Sequence, residues 1–571
     1  MQTAEHEVPV LVVGGGPVGL LTAWQLAFHG IKCMLAERNV TTTQWPKMDI
    51  TNCRSMELLK SLGLADKLRE HGVSQDKSFD VIFSSGLGDG GERIAKWDLP
   101  GPDEWRSRIR DKNDGSMPRE PYQRCSQAVF EAWLKPLLDE HPLVDTFFGL
   151  KFESLTEKED GVTSELVDVA GRKHFVYSKY VIGCDGGGSR VRRNVEINLS
   201  GGPVPGKMHL VHFKSRDLDR LHRQGQFWHI FFTNGSCIIS QDELDTWTVH
   251  LALPLEVETN QLDPYEVICR VLGGTSGPLE IQVDEILLHN TWRPNLAVAD
   301  SYRTPKGRVF LAGDSAHQNI PTGGYGMNTG VADAFDIGWK LAAVLNGYGG
   351  EHLLASYEVE RRPVALRNVE RSGVHASVHR QYSEWVAQKG LNCLLKDTSE
   401  ARELKKKIAD FVQEHDGENK DHGIEMGYIF PNSPVIISDG DPETFETTNV
   451  WPARNYTPST IPGRRAPHVW LQDGQTSIVD LYGKGFTVVD FTASGEISRC
   501  FEEVASRLQV PLMRVHLPDE CNVRDIWQCA AAILRPDGFV AWRHSSFKSE
   551  PLSDEEVEDI LQVVVGQRSA K

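Results

Sequence analysis

The 571-residue chain has little of what marks several common classes of protein. Its ten cysteines stand singly, with no C-x-x-C pair and no Cys/His cluster. That excludes a dithiol redox centre and argues against a metal site. Basic residues are in deficit, 61 Lys and Arg against 79 Asp and Glu, for a formal net charge of −18. Such a surface repels phosphate backbones and anionic membranes, so nucleic acid is not an expected partner. No apolar run reaches the roughly 18 residues that a bilayer span needs. The opening stretch MQTAEHEVPVLVV is acidic and unlike a secretory leader. These absences predict a chain with free thiols in a reducing, cytoplasmic compartment. There is no internal repeat, and the length exceeds what one core serves, implying roughly two to four domains.

What is present begins at the amino terminus. The order is VPVLVV, GGGPVG, LLTAWQLAFHG, IKCMLAERN, which reads as strand, tight turn, helix, strand. The turn fits G-x-G-x-x-G in the context that motif requires. Gly14 permits the turn, Gly16 lets the backbone approach a pyrophosphate, and Gly19 lets helix and strand pack. Pro17 opens the helix, whose amino terminus favours anions. Glu37 ends the second strand where an acid binds a ribose hydroxyl, with Arg38 beside it. An acid there disfavours a 2′-phosphate, so FAD or NAD fits this site better than NADP.

Far along the chain, GRVFLAGD delivers Gly313 and Asp314 to a strand end, and Pro321-Thr-Gly-Gly-Tyr-Gly-Met-Asn328 follows. The next segment, GVADAFDIGWKLAAVLNG, reads as an amphipathic helix. Its amino-terminal amides would face a ligand and stabilise negative charge on a reduced flavin. Between these motifs lies CDGGGSRVR, a strand end with Asp185 in a glycine-rich turn. Short β-branched and aromatic segments, FWHIFF, SCIIS and TWTVHLALP, read as a sheet. Phe227, Trp228 and Phe231 could line a pocket there or simply fill a core. After a polar stretch, SIVDLYGKGFTVVDF and QCAAAILRPDGFVAW look like strands of a separate α/β unit.

Three of these elements, GGGPVG, CDGGGSRVR and GD…PTGGYGMN, resemble in order and spacing the fingerprints of the FAD-dependent aromatic hydroxylases, the p-hydroxybenzoate hydroxylase fold group. PKMDITNCRSMELLKSLGLADKLRE, LLASYEVERRPVA, PGRRAPHVWL and LRPDGFVAWR extend the likeness to the longer phenol hydroxylases and chlorophenol monooxygenases. The resemblance implies a mixed α/β and α+β architecture. A Rossmann-like FAD-binding domain would occupy residues 1–199, with substrate-domain strands inserted around 75–125. A substrate-binding sheet domain would span 200–302, and the FAD domain would return with a helical segment over 303–440. A thioredoxin-like domain without C-x-x-C would fill 441–571, in a packing role and with a homodimer as the implied assembly.

The resemblance also implies roles. Gly14, Gly16, Pro17, Gly19, Glu37 and Arg38 would hold the ADP half of FAD. Asp314, after Gly313, would hold the ribitol or pyrophosphate. Pro321, Gly324, Gly326, Met327 and Asn328 would meet the flavin ring. Met48, Arg54, Gln127 and Asp185 would touch the cofactor, Asp185 serving the nicotinamide donor as well. No second G-x-G-x-x-G occurs, which suits a family in which NADPH or NADH binds without its own Rossmann domain. Asp49 aligns with an aspartate beside the substrate hydroxyl, where a carboxylate draws the phenolic proton; its alternative role is to cap the helix near Arg54. Trp292 falls near a tyrosine position of the substrate pocket. Phe227 and Pro321 are its other expected walls. His317 could touch the flavin region or hold structure. The implied activity is hydroxylation of a phenol with NAD(P)H and O2 through a flavin hydroperoxide. Epoxidation, Baeyer–Villiger or dearomatising oxidation on the same scaffold is the alternative.

Overall fold

The computed structural model describes residues 6–47, 49–439, 451–547 and 552–570. The strand His6–Val13 lies at the centre of a sheet, flanked in parallel by Cys33–Glu37 and Lys173–Gly183. Its apolar residues Val10 to Val13 are buried on both faces, as suits a central parallel strand. Val144–Phe148 extends one edge in parallel, and a meander of Leu150–Glu157 and Val162–Asp168 extends the other, antiparallel. The late strand Val309–Leu311 re-enters this sheet beside Lys173–Gly183. That pairing makes the amino-terminal turn and the Asp314 turn neighbours.

The second sheet has seven strands, in the order 285–292, 207–214, 246–253, 237–240, 229–232, 81–84 and 93–97. Its last two strands come from the amino-terminal third of the chain, and Val81–Ser84 pairs in parallel with His229–Phe232. The helix Pro264–Gly273 covers one face, burying Val211, Ile230, Trp247 and Val249. The opposite face looks toward the first unit and the long helix Glu351–Lys389.

The helix Tyr325–Leu345 departs from the amphipathic pattern expected of it. It is buried nearly all round, between the Pro17–Phe28 helix and the long helix. A helix in that place must pair its charges internally. Asp336 and Lys340 bond at 2.7 Å, and Lys340 reaches Glu360 at 2.6 Å.

Arg535, from the carboxy-terminal unit, completes this cluster. It bonds Glu360 at 2.6 Å and Asp336 at 3.3 Å and is itself fully buried. That unit is a four-stranded mixed sheet, 512–516, 486–490, 531–534 and 540–544, backed by the helices Glu496–Arg507 and Asp554–Val564. Its cysteines are all free thiols. No described helix is long and apolar enough to cross a membrane.

Candidate active site

The amino-terminal turn is built to leave space. Gly14 adopts φ +111°, a conformation that a side chain would strain, and its N–H donates to Ala36 O at 2.8 Å. A Cβ on Gly19 would run into the carbonyl oxygen of Gly14. At Gly16 the reverse holds: a Cβ there would meet nothing nearer than Glu131 Oε1, 3.8 Å away. The helix that starts at Pro17 has no side-chain cap, so its first N–H groups face that open space. Uncapped donors before a cleared backbone form a pyrophosphate cradle. Glu37 sits beside it, its Oε2 accepting from Gly15 N at 2.7 Å. Gln127 donates to Glu131 Oε1 at 2.7 Å, and Glu131 Oε2 accepts from Thr43 N at 2.8 Å, closing the cradle's side. Arg38 lies exposed just past the strand end.

The second motif meets the first. A Cβ on Gly313 would lie 2.8 Å from Val18 Cγ2, and one on Gly330 2.6 Å from the same methyl. Asp333 holds the Asp314 turn in place, accepting from Gly313 N at 3.1 Å. Asp314 opens into the groove. The helix beyond, entered through Gly324 at φ +64°, again lacks a side-chain cap. Pro321 is exposed at its mouth, with Gly326 and Met327 half-buried. Thus two uncapped helix ends and one carboxylate lie close together, and these donors and the cleared backbone fit FAD.

Asp49 precedes the short strand Ile50–Thr51 and is half-buried against the second sheet. Its carboxylate accepts from Trp228 Nε1 and lies 3.7 Å from His229 Nε2. Burial alone would raise its pKa; His229, Arg124 and the Trp228 N–H outweigh that and hold the carboxyl below its ordinary value. It does not cap the next helix. Asn52 does, accepting from Ser55 N at 2.9 Å. Asn328 fastens this segment to the flavin loop: its Oδ1 accepts from Asn52 N at 2.9 Å, and its Nδ2 donates to Ile50 O at 3.1 Å and Gly324 O at 2.6 Å.

Comparison with known proteins matches residues 7–372 to the FAD binding domain family and residues 459–567 to the family described as aromatic-ring hydroxylase, C-terminal. The chain belongs to the FAD-dependent aromatic-ring hydroxylases. It is 46% identical over 560 residues to the FAD-dependent monooxygenase apdD of Emericella nidulans, covering 95% of this chain and 89% of that one. It is 29% identical to the 2,4-dichlorophenol 6-monooxygenase of Cupriavidus pinatubonensis, over 99% and 97% of the two chains. Among solved structures it resembles the flavin-dependent monooxygenase PieE in complex with FAD and substrate, with TM-score 0.85, 28% identity, and coverage of 99% and 100%. The protein is accordingly an FAD-dependent monooxygenase.

Within the hydroxylase, several expected contacts are placed differently. Arg54 does not face the groove. It is buried against Glu57 at 3.2 Å, Tyr428 at 3.3 Å and the carbonyl of Asp537 at 2.5 Å, joining the first unit to the last. Phe227 is fully buried in the cluster with Trp247 under the Pro264–Gly273 helix, on the sheet face turned away from the cofactor, so it lines no pocket. Asp185 spends both carboxylate oxygens on its own turn, accepting from Ser189 Oγ at 2.5 Å, Arg190 N at 2.6 Å and Val191 N at 3.1 Å. It holds that turn, with its Cα beside Gly14 of the cradle. His317 is structural: fully buried, it meets Asp333 at 2.8 Å. Met48 lies outside the described residues.

Trp292 is half-buried opposite Met208, edge-on to His250 with ring centroids 6.3 Å apart. Register puts His250 opposite Leu210 and Cys237, so Trp292 and His250 share the groove-side face with Phe231. His229 and His250 were not singled out from the sequence. The only signals were a histidine among aromatics in FWHIFF and one among apolar residues in TWTVHLALP. Asp333 was hidden the same way, as one charge among several in a helix read as amphipathic.

Proposed function

We propose that the hydroxylase is a single-component enzyme that hydroxylates a phenolic substrate, using NADPH or NADH and O2. The observation that carries this reading is Asp49: its carboxylate accepts from Trp228 Nε1 and lies 3.7 Å from His229 Nε2, and although burial alone would raise its pKa, these groups with Arg124 hold it below the ordinary value. Bound FAD would take a hydride from the nicotinamide and activate oxygen for transfer to the ring. The chain's own work is to bind, orient and exclude water. The two helix ends and Asp314 hold the cofactor; the face carrying His229, Phe231, His250 and Trp292 receives an aromatic ring. Asp49 polarises the phenolic O–H, raising electron density on the adjacent ring carbon. Phenol and dichlorophenol monooxygenases among the relatives, 26% and 29% identical, support a phenolic substrate.

A second reading, epoxidation, Baeyer–Villiger or dearomatising oxidation on the same scaffold, draws on a relative named tetracenomycin A2 monooxygenase-dioxygenase, 29% identical over 585 residues. One experiment separates the two. NAD(P)H oxidation is followed with panels of simple phenols and polycyclic phenols, with mass analysis of products. The first reading requires phenol-stimulated oxidation and a ring-hydroxylated product. Stimulation without ring hydroxylation sustains the second, and no stimulation by any phenol contradicts the first.

A further inference from the structure

His229 is half-buried on the face of the second sheet opposite the Pro264–Gly273 helix, and neither of its buried ring nitrogens has a hydrogen-bond partner among the described residues. Buried imidazole nitrogens are rarely left so. The ring stacks on Trp228 at 4.2 Å and meets Phe231 edge-on at 5.3 Å, which fixes its plane. Asp49 Oδ2 is 3.7 Å from Nε2, short of a bond and close enough to become one on a small rotation. Other charged or titratable groups surround the pair. Arg124 acts on Asp49 but is itself bonded to Glu243 and Ser240 O. Cys237 lies on the adjoining strand and His250 on the one beyond it. Glu418, bonded to His379 at 2.5 Å, lies within electrostatic reach across Phe231.

We propose that His229, with Asp49 as its carboxylate partner, is the group that accepts the phenolic proton. This rests on the phenolic reading above and deepens it. On ordinary values, handing a proton from a phenol to an aspartate is uphill by about six pH units, and to a histidine by only about three and a half. The surroundings of Asp49 lower its basicity further. An ionised Asp49 is therefore a poor resting place for the proton but a good counter-charge for an imidazolium, the division of labour of a carboxylate–histidine pair. In the step, the phenolic O–H bond breaks and its electron pair stays on oxygen. The proton bonds a free ring nitrogen of His229, and the imidazolium pairs with Asp49. That proton is later available to the oxygen atom of O2 that leaves as water, the hydride coming from NAD(P)H. His250, pushed down to about 4 by burial and by His229, stays neutral and does not compete.

The test reads the ionisation of bound phenol, not turnover. 2,4-Dichlorophenol is added to the oxidised FAD-loaded protein, without nicotinamide, and its ultraviolet phenolate band is followed from pH 5 to 9. Wild type, His229→Gln, His229→Asn and Asp49→Asn are compared, each checked for bound FAD and native circular dichroism. The expected result is phenolate formation in wild type below the solution pKa of the phenol. Both His229 variants should return ionisation to the solution value, a shift of at least about one pH unit, with Asp49→Asn between. Ionisation in His229→Gln that matches wild type, or loss in Asp49→Asn alone, overturns the proposal and leaves the phenolic reading standing. A wild type that neither binds the phenol nor oxidises NAD(P)H faster with any phenol overturns the reading and the proposal together.

Discussion

Val18 and Gly313 touch across the fold: no Cβ could be added at Gly313 without coming within 2.8 Å of the Val18 methyl. The contact locks the amino-terminal glycine turn to the strand end that carries Asp314. Gly313 also sits at φ +64°, where a side chain is strained. Gly313→Ala should therefore push the two halves of the cofactor groove apart. The expected outcome is FAD binding weakened at least about tenfold, roughly 1.4 kcal/mol. Gly19→Ala, whose Cβ would strike Gly14 O, should do the same. Fluorescence titration of apoprotein with FAD measures both. Gly171→Ala, with open space around it although φ is also positive, controls for strain alone.

Asp49→Asn keeps the shape of the side chain and removes its charge. Turnover with a phenol should fall about 100-fold or more, the scale of a lost acid–base group. FAD should remain bound, because the Asp49 carboxylate bonds Trp228 and no residue of the cradle. Steady-state rates together with the visible flavin spectrum check this, and unaltered turnover would remove Asp49 from the chemistry.

The buried cluster of Arg535, Glu360, Asp336, Lys340 and Asp537 ties the carboxy-terminal unit to the FAD unit. Arg535→Met strands carboxylates in the interior, and breaking a buried pair in this way costs about 3–5 kcal/mol. Urea unfolding should show the midpoint lowered accordingly. Arg568→Ala, which breaks only the exposed pair with Asp559, should leave it unchanged.

Glu425 faces a small recess lined by Phe79, Leu99, Tyr122 and Trp228, and its Oε2 has no partner among the described residues. Burial pushes its carboxyl up to about 8, slightly offset by a hydrogen bond from the Cys53 backbone. The unfolded chain releases this proton above about pH 4.3, while the folded one keeps it to about 8. Folding stability is then fully present below the unfolded pKa and declines as pH rises to the folded one, by up to about 1.4 kcal/mol per pH unit. Glu425→Gln lacks this slope. Its unfolding midpoint relative to wild type should rise between pH 5 and pH 8, and parallel midpoints would show that Glu425 is ionised in the fold.

The cofactor cradle was legible in the sequence because its constraints are local. A glycine turn between a buried strand and an uncapped helix has few other purposes, and Glu37 and Asp314 mark strand ends. Asp49 was legible only through family likeness, since nothing within its own segment shows Trp228 or His229. Arg54 misled for the opposite reason: its partners Tyr428 and Asp537 come from distant parts of the chain. Phe227 and His229 lie two residues apart in one aromatic run, yet one fills the core and the other faces the groove. The helix Tyr325–Leu345 read as amphipathic because its charges look like a solvated face; Arg535 and Glu360, far along the chain, turn that face into an interior one.

The most direct test of the central claim is flavin reduction in the purified, FAD-loaded protein, followed anaerobically with NADPH and with NADH in the presence and absence of each phenol, then completed with isotopically heavy O2. Faster reduction with a phenol present, and one heavy oxygen atom in a ring-hydroxylated product, is the expected result. Reduction that no phenol accelerates, or a product whose new oxygen comes from water, would contradict the account.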